Sequence, residues 1–174
     1  MNLWDLTYKK AIVTGAAQGL SKGMAEGLME VGAEVCILDI NPKVIDVAKE
    51  FNNKGFKCHG IIANIAKEGE REKAFRDAVE KLGGHLDIIV NSAGVQRRHK
   101  SEEFPLNDWN FVIDINLTAV FVLCQLAAKQ FMKQKSRGKI INIASMLSFF
   151  GGYTIPAYAA SKGGIAQLTK AFCN

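Results

Sequence analysis

Short apolar runs alternate along this chain with longer amphipathic stretches, and this alternation restricts the fold more than any other feature. The apolar runs predict five strands, at residues 11–13, 33–38, 57–63, 86–90 and 139–144. Helix-like apolar spacing predicts five helices, at residues 19–31, from 41 to near 55, 68–82, 107–134, and from 156 onward. Strands that alternate with helices of this length form βαβ units with right-handed crossovers. The sequence therefore predicts an α/β protein with a doubly wound parallel sheet covered on both faces.

The composition excludes several classes of protein. Apolar residues make up 48% of the chain and charged residues 22%, with 16 Gly and 3 Pro, which is typical of globular domains and not of disordered or collagen-like chains. The first ten residues lack the pattern of a signal peptide, and no apolar run approaches the roughly 18 residues of a membrane span. We therefore expect a cytoplasmic protein without a membrane partner. The four cysteines form no CxxC pair and the three histidines are scattered, so we expect neither disulfides nor a metal site.

The net charge of +5 would by itself suggest an anionic partner. Many of the basic residues, however, are interleaved with Glu and Asp along predicted helices, for example at residues 67–73. Solvated helix faces explain that pattern, so we expect no nucleic-acid partner. One dense basic cluster, at residues 97–100, needs a separate explanation.

The carboxyl ends of the strands are where folds of this type bind ligands. At the end of the first strand, a turn that contains Gly15 and Gly19 leads into the first helix. Glycine lets the backbone turn tightly and approach a pyrophosphate, and the helix N-terminus favours that anion through its N–H groups and its dipole. The same turn also occurs as a simple strand-to-helix connection without a ligand, and the turn alone does not decide between the two.

Asp39 lies at the end of the second predicted strand. There a carboxylate can accept hydrogen bonds from an adenosine ribose and repel a 2′-phosphate. The glycine-rich turn contains Gln18 and no basic residue that would bind such a phosphate. Both features predict NAD rather than NADP as the cofactor, with a capping or solvated Asp39 as the alternative.

Tyr158 and Lys162 are spaced i, i+4 and therefore share one face of the last predicted helix. A neighbouring ammonium stabilises a tyrosine phenolate, so such a pair can exchange a proton with an alcohol or carbonyl oxygen. Ser145 ends the fifth predicted strand, where its hydroxyl can hydrogen-bond a substrate oxygen. The Tyr-x3-Lys spacing also arises by chance and does not establish a catalytic pair alone.

Five motifs occur together, in one order, between residues 11 and 162. They are Thr14-Gly15-x3-Gly19, Asn91-Ser92-Ala93-Gly94, Asn116, Ser145 and Tyr158-x3-Lys162. With these motifs the sequence resembles the classical short-chain dehydrogenase/reductase family. The resemblance implies a Rossmann fold with strand order 3-2-1-4-5 and a single NAD-binding domain over residues 1–174. It also implies NAD-dependent oxidation of a secondary alcohol, or reduction of the ketone.

The resemblance implies roles for individual residues. Tyr158 would be the catalytic acid/base, and Lys162 would stabilise its phenolate and hold the nicotinamide ribose. Ser145 would orient the substrate carbonyl, Asn116 would support a water in the proton relay, and Asn64 would lie near the adenine. The cofactor-binding residues implied in this way are Gly15, Gln18, Gly19, Leu20, Asp39, Asn64, Ile65, Asn91, Ala93, Gly94, Tyr158 and Lys162.

Residues 94–98, 103–105 and 139–149 resemble a bacterial branch of the family that acts on sugar acids such as 2-deoxy-D-gluconate, 2-dehydro-3-deoxy-D-gluconate and gluconate. A guanidinium can bind a carboxylate with two hydrogen bonds, so Arg97 and Arg98 are candidate substrate residues, with Ser145 and Tyr158. A solvated or interface loop is the alternative for the two arginines. A 3-oxoacyl carrier-protein reductase is a second candidate enzyme, which Asp39 disfavours. A third possibility is that the chain is not an enzyme but a non-catalytic fragment that binds a dinucleotide.

The chain departs from the family pattern in its details and in its length. Ser21, Asn64 and Ser92 stand where Gly, Asp and Asn are common, and we expect only modest effects. Family members run to about 250 residues, still within the range of one domain, whereas this sequence ends at Asn174. The resemblance therefore implies that the last two strands are missing and that the helices used for homo-oligomer (tetramer) assembly are affected. The strand at residues 139–144 would then be an apolar sheet edge, prone to pairing with other chains. An incomplete version of a full-length enzyme, a truncated product with little activity, and a shortened chain that functions by new pairing between subunits are all compatible with the sequence.

Overall fold

A computed structural model describes residues 4–173 of the chain. Five parallel strands form one sheet in the order β3-β2-β1-β4-β5. The strands are β1 (Lys10–Thr14), β2 (Glu34–Asp39), β3 (Cys58–Ile62), β4 (Ile88–Asn91) and β5 (Lys139–Asn142). The predicted α/β class, Rossmann-type sheet and strand order 3-2-1-4-5 are confirmed.

Helices cover both faces of the sheet. They are α1 (Gly19–Glu30), α2 (Val44–Asn53), α3 (Glu68–Lys81), α4 (Leu106–Ile113), α5 (Ala119–Lys133) and α6 (Pro156–Cys173). On one face, α1 and α2 contribute Met29 and Phe51 to a buried core. On the other face, α3 and α5 contribute Phe75 and Leu123, while α6 packs against α5 through Ile165.

The central strands are apolar because both of their faces are buried. In β1, Val13 faces one core and Ile12 faces the other, and neither has any exposed surface. Since all five strands are parallel, their carboxyl ends meet at one edge of the sheet. Asp39 and Asn91 end β2 and β4 at this edge, and the loops that follow the strands form the candidate site there.

The second helix begins later than the sequence predicts. Asn41 and Pro42 are the expected N-cap and first helical residue, but α2 begins at Val44. Asn41 Oδ1 instead accepts a hydrogen bond from Lys43 N–H at 3.0 Å, which closes a turn ahead of the helix. The predicted end of this helix is confirmed, because Gly55 follows it with φ of +89°.

The helix predicted at residues 107–134 contains an irregular turn. A π turn at Asp114–Thr118 joins α4 to α5, and in it Ala119 N–H donates to Asp114 O. Such turns are rare and occur frequently at functional sites. This one contains Asn116, a residue that the family resemblance places in the proton relay.

The helical segment Leu106–Lys133, with 28 residues, is long and apolar enough to cross a membrane, judged by length and composition only. The sequence predicted this helix, but polar residues interrupt its apolar ones, so it contains no unbroken apolar run of about 18 residues. Its apolar residues have another explanation, because Val112, Val120 and Leu123 are buried within the protein.

Candidate active site

The turn between β1 and α1 follows a path that requires glycine. Gly15 and Gly19 have φ of +75° and +63°, in the left-handed region. A Cβ atom at Gly15 would lie 2.7 Å from Ala93 Cα, so this turn lies directly against the loop after β4. Within the described chain, α1 has no side-chain N-cap and no acidic residue in its first turn. Its N–H groups are therefore available to an anion.

Hydrogen bonds to Asp39 connect this turn to the end of β2. Its Oδ2 accepts a hydrogen bond from Ala17 N–H at 3.0 Å, and its Oδ1 accepts one from Asn41 N–H at 2.9 Å. Ala17 and Asn41 both lie outside the helices, so Asp39 holds the turn and does not cap a helix, the role that the sequence left as an alternative. Each carboxylate oxygen has a second lone pair, and Asp39 also lines the cleft described next.

A cleft of about 360 Å³ lies over the carboxyl ends of β1 to β4. Its volume is within the usual range for a small-molecule site. Eight of the predicted cofactor residues line it, namely Gly15, Gln18, Gly19, Asp39, Asn64, Ile65, Ala93 and Gly94. The other lining residues are Ser21, Leu38, Ile40, Ala63, Ser92, Val95 and Ile115. Position at a strand end could have suggested Ile40, Ala63 and Val95, but apolar lining residues have no chemical signature in a sequence.

Four predicted cofactor residues lie outside the lining of this cleft. The side chain of Leu20 is 85% exposed on α1. Asn91 is buried, and its Nδ2 donates to Asn142 Oδ1 of β5 at 2.8 Å, so its side chain joins two strands. Tyr158 and Lys162 lie on α6 and do not line the cleft.

Lys162 is buried at the junction of α6 and the sheet. Its Nζ donates to Ile143 O at 2.5 Å and lies 5.7 Å from the centre of the Tyr158 ring. Burial lowers the pKa of Lys162, because desolvation disfavours the ammonium form. A Cβ atom at Gly94 would lie 4.0 Å from Lys162 Nζ. Because Gly94 lines the cleft, the lysine lies beside its end.

Asn116 joins α6 to the loop after β4. Its Oδ1 accepts from Val95 N–H at 2.8 Å, while its Nδ2 donates to Val95 O at 2.9 Å and to Ser161 Oγ at 3.2 Å. Each polar atom of the side chain therefore has a protein partner. Any part that Asn116 plays in a proton relay would accordingly rest on its backbone or on the loop that it fixes.

Ser145 lies just beyond β5, in a short turn linked to α6. Its Oγ accepts a hydrogen bond from Leu147 N–H at 3.2 Å. Ser148 Oγ accepts from Ser145 N–H at 3.3 Å and donates to Lys162 O at 2.7 Å. The Ser148 hydroxyl thus connects the segments that carry two of the candidate catalytic residues.

The two candidate substrate arginines have different surroundings. Arg97 Nε lies 3.6 Å from Asp108 Oδ1, and its guanidinium lies 4.4 Å from the centre of the Phe111 ring. Among the described residues, no carboxylate lies within 4.0 Å of Arg98, which is exposed. Asp108 Oδ2 also lies 2.6 Å from His99 Nε2. The contact between Arg97 and Asp108 could not be predicted from the sequence, because it joins a loop to a later helix.

The strand order, together with a cleft over the carboxyl edge of the sheet, defines the class of Rossmann-type nucleotide-binding proteins. Sequence comparison gives the family, since the family described as "short chain dehydrogenase" matches residues 9–174. The chain belongs to the short-chain dehydrogenase family. The family resemblance seen in the sequence is thereby confirmed.

Named relatives act on sugar acids. The chain is 39% identical over 173 residues to 5-keto-D-gluconate 5-reductase of Escherichia coli K12, covering 99% of this chain and 67% of the relative. It is 38% identical over 174 residues to 2-dehydro-3-deoxy-D-gluconate 5-dehydrogenase of the same strain, covering 100% of this chain and 68% of the relative. The chain thus spans about two thirds of the length of these curated relatives.

A solved structure gives the same comparison in three dimensions. The crystal structure of a gluconate 5-dehydrogenase from Burkholderia cenocepacia J2315, in complex with NADP and tartrate, matches with a TM-score of 0.90 and 36% identity. The match covers 98% of this chain and 66% of that chain. Its cofactor differs from the one that Asp39 and Gln18 predict here, so the comparison supports a nicotinamide dinucleotide but not NAD in particular.

Proposed function

We propose that this chain binds NAD and interconverts a secondary alcohol and a ketone on a sugar acid. The observation that carries the proposal is the surroundings of Gly94. A Cβ atom there would lie 3.3 Å from Asn116 Oδ1 and 4.0 Å from Lys162 Nζ. Because Gly94 also lines the cleft, a dinucleotide lying in the cleft would reach the candidate catalytic residues at one end.

The residues that line the cleft fit a dinucleotide. Gly15 and Gly19 would let the pyrophosphate approach the backbone at the start of α1, and Asp39 would accept hydrogen bonds from the adenosine ribose. Asn64 and Gly94 would lie on either side of that region, at the ends of β3 and β4. When bound, the nicotinamide would supply or accept the hydride.

The protein's own residues would handle the proton. Tyr158 would give a proton to the ketone oxygen or take one from the alcohol. The Lys162 ammonium would favour the phenolate form of this tyrosine. Ser145 Oγ already accepts a hydrogen bond from Leu147 N–H, so its own proton remains available to the substrate oxygen.

Asp39 supports NAD over NADP. Two backbone N–H groups hold this carboxylate in place, so it would repel a 2′-phosphate on an adenosine ribose bound beside it. Gln18 adds no positive charge to offset this repulsion. An alternative, a 3-oxoacyl carrier-protein reductase-like enzyme, would show the opposite cofactor preference.

Arg98 is the better candidate for the substrate carboxylate. It is exposed and has no carboxylate neighbour within 4.0 Å in the described part of the chain. Arg97 is already held by Asp108 and Phe111. We therefore assign Arg98 to the carboxylate of the sugar acid and Arg97 to the positioning of the loop.

We also propose a cytoplasmic location and a homo-oligomer. Cys36, Cys58 and Cys124 are buried free thiols, a state that fits a reducing compartment. An apolar groove between α5 and α6, which includes Phe121 and Leu168, leaves a surface that a second copy could cover.

An NADH titration followed by cofactor fluorescence, with NADPH as the comparison, tests the cofactor part of the proposal. We expect saturable binding that favours NADH, and reduction of 5-keto-D-gluconate in the presence of NADH. Tyr158→Phe should keep NADH binding and lose the turnover. Binding without any turnover by the unaltered chain would favour a non-catalytic dinucleotide-binding fragment. No binding at millimolar NADH would contradict the proposal.

A further inference from the structure

The loop after β3 presents Asn64 to the cleft, and α3 holds this loop in place. Asn64 N–H donates to Glu70 Oε2 at 3.1 Å. Arg71 Nη1 donates to Ile65 O at 2.8 Å. Two consecutive residues of α3 therefore hold the backbone of two consecutive loop residues.

Arg71 makes this attachment rigid. Only 5% of its surface is exposed, and no carboxylate lies within 4.0 Å of it in the described residues. A buried guanidinium without an acidic partner needs its hydrogen bonds to other groups. Among the described residues, the bond to Ile65 O is the one hydrogen bond of this guanidinium, whose buried Nε has no partner, so a shift of the loop would leave the buried charge less well satisfied.

The side-chain amide of Asn64 has one orientation in this loop. Its Oδ1 accepts a hydrogen bond from Ala66 N–H at 3.0 Å, and only the oxygen of an amide can accept. In the described residues, Nδ2 of Asn64 has no hydrogen-bond acceptor. Asn64 therefore offers the cleft a donor, whereas an aspartate at this place would offer only acceptors.

The free Nδ2–H donor of Asn64 determines how the residue can recognise a base beside it. Under the proposed function, Asp39 binds the adenosine ribose. Asn64 lines the same cleft at the end of β3, the next strand outward from β2, so the base would lie against Asn64. Adenine offers an amino group as a donor and ring nitrogens as acceptors. A donor on the protein can pair with a ring nitrogen and cannot pair with the amino hydrogens.

We propose that Asn64 is a specificity-determining residue that donates its Nδ2–H to an acceptor on the base and does not select for the 6-amino group. The site would then accept a purine with a 6-oxo group about as well as adenine. This inference rests on the proposed function, because it assumes that a dinucleotide occupies the cleft.

The test compares the dissociation constants of NADH and of reduced nicotinamide hypoxanthine dinucleotide, in which a 6-oxo group replaces the 6-amino group. We expect the two constants of the unaltered chain to agree within about threefold, because the 6-oxo oxygen of hypoxanthine can replace N1 of adenine, which carries a proton in hypoxanthine, as the acceptor for Asn64. Asn64→Asp keeps an oxygen for Ala66 N–H and presents an acceptor to the base. This variant should prefer NADH by about tenfold or more, since its carboxylate pairs with the amino group and repels the 6-oxo oxygen.

Asn53→Asp is the matched control, because it makes the same change of charge at an exposed position at the end of α2. Its ratio of dissociation constants should equal that of the unaltered chain. A tenfold preference of the unaltered chain for NADH would overturn the inference without any variant. An unchanged ratio in a folded Asn64→Asp protein would overturn it as well. Failure of the unaltered chain to bind either dinucleotide would instead contradict the proposed function, and the inference with it.

Discussion

Gly15 is where the cofactor turn and the loop after β4 come closest together. A methyl group there would meet Ala93 Cα at 2.7 Å, on a backbone with φ of +75°. We expect Gly15→Ala to lower the free energy of unfolding by about 1–3 kcal/mol, because backbone atoms must move to relieve the contact. Since the moved atoms line the cleft, NADH binding should weaken by about tenfold or more. Urea unfolding and a fluorescence titration measure the two effects.

Gly23→Ala is the control for this prediction. Gly23 lies on α1, is exposed, and has no atom within 4 Å of a Cβ built on it. Alanine is the better helix former, so this variant should gain up to about 1 kcal/mol of stability and bind NADH normally. A Gly15→Ala protein that behaves like the Gly23→Ala protein would show that the close approach to Ala93 has no effect.

The buried Lys162 makes stability depend on pH in a definite direction. Burial lowers its pKa from the ordinary value of 10.5, so the folded protein loses this proton at a lower pH than the unfolded chain does. Between the two pKa values the unfolded chain binds more protons, and the free energy of unfolding rises with pH. The stability of the unaltered protein relative to Lys162→Met should therefore increase as the pH approaches 10.5.

Lys170→Met provides the comparison for Lys162, since Lys170 is an exposed lysine of the same helix. Its stability difference from the unaltered protein should stay constant over the same alkaline range. Urea unfolding at a series of pH values from 7 upward measures both curves. Parallel curves for the two variants would mean that Lys162 is not appreciably desolvated.

At the scale of elements, a row of polar side chains ties α6 to the sheet. Asn91 of β4 donates to Asn142 of β5, and Asn142 Nδ2 donates to Thr169 Oγ1 at 3.0 Å. The Thr169 hydroxyl in turn donates to Ile165 O at 2.8 Å. Because Lys162 lies on the same helix, this row helps to fix the position of the candidate catalytic lysine.

Thr169→Val removes the hydroxyl from this row and keeps the shape of the side chain. We expect the free energy of unfolding to fall by about 1 kcal/mol, because Asn142 Nδ2 loses its acceptor in a partly buried place. The exposed Thr118→Val variant is the matched control and should change stability by less than about 0.5 kcal/mol. Equal losses in the two variants, measured by urea unfolding, would count against a role for the row.

The elements were predictable from the sequence to the extent that local pattern determines them. The strands that end at Asp39 and Asn91 could be placed because apolar runs buried on both faces stand out, and the strand order is confirmed. The π turn around Asn116 could not be predicted, because its bonds to Val95 and Ser161 join segments far apart in the chain. The start of α2 was missed because Asn41 caps a turn instead of the helix.

The candidate site was predictable to a similar extent. Gly15, Asp39 and Asn64 could be proposed from their positions at strand ends, and all three line the cleft. The hydrogen bond between Asp39 and Ala17 N–H, and the one between Glu70 of α3 and Asn64 N–H, are tertiary contacts that no local sequence pattern reveals.

For the molecule as a whole, the sheet has two edge strands, β3 and β5, and an apolar groove lies beside β5. Among residues 4–173, β5 pairs with β4 on one side only, as β3 pairs only with β2. Beside β5 lies a groove that includes Phe131, Ile140 and Phe172, and Ile141 is 44% exposed. An apolar edge with an apolar groove beside it is a surface that another chain can pair with.

We therefore expect a polypeptide of these 174 residues to self-associate through β5 as its concentration rises. Ile141→Lys should shift it towards the monomer, because a charge on an edge strand opposes pairing with a second chain. Ile62→Lys is the matched control on β3, where the replaced isoleucine is 51% exposed. Light scattering coupled to size-exclusion chromatography measures the mass of each variant. If Ile62→Lys reduced the mass as much as Ile141→Lys, a general effect of added charge would explain the result, and association through β5 would be refuted.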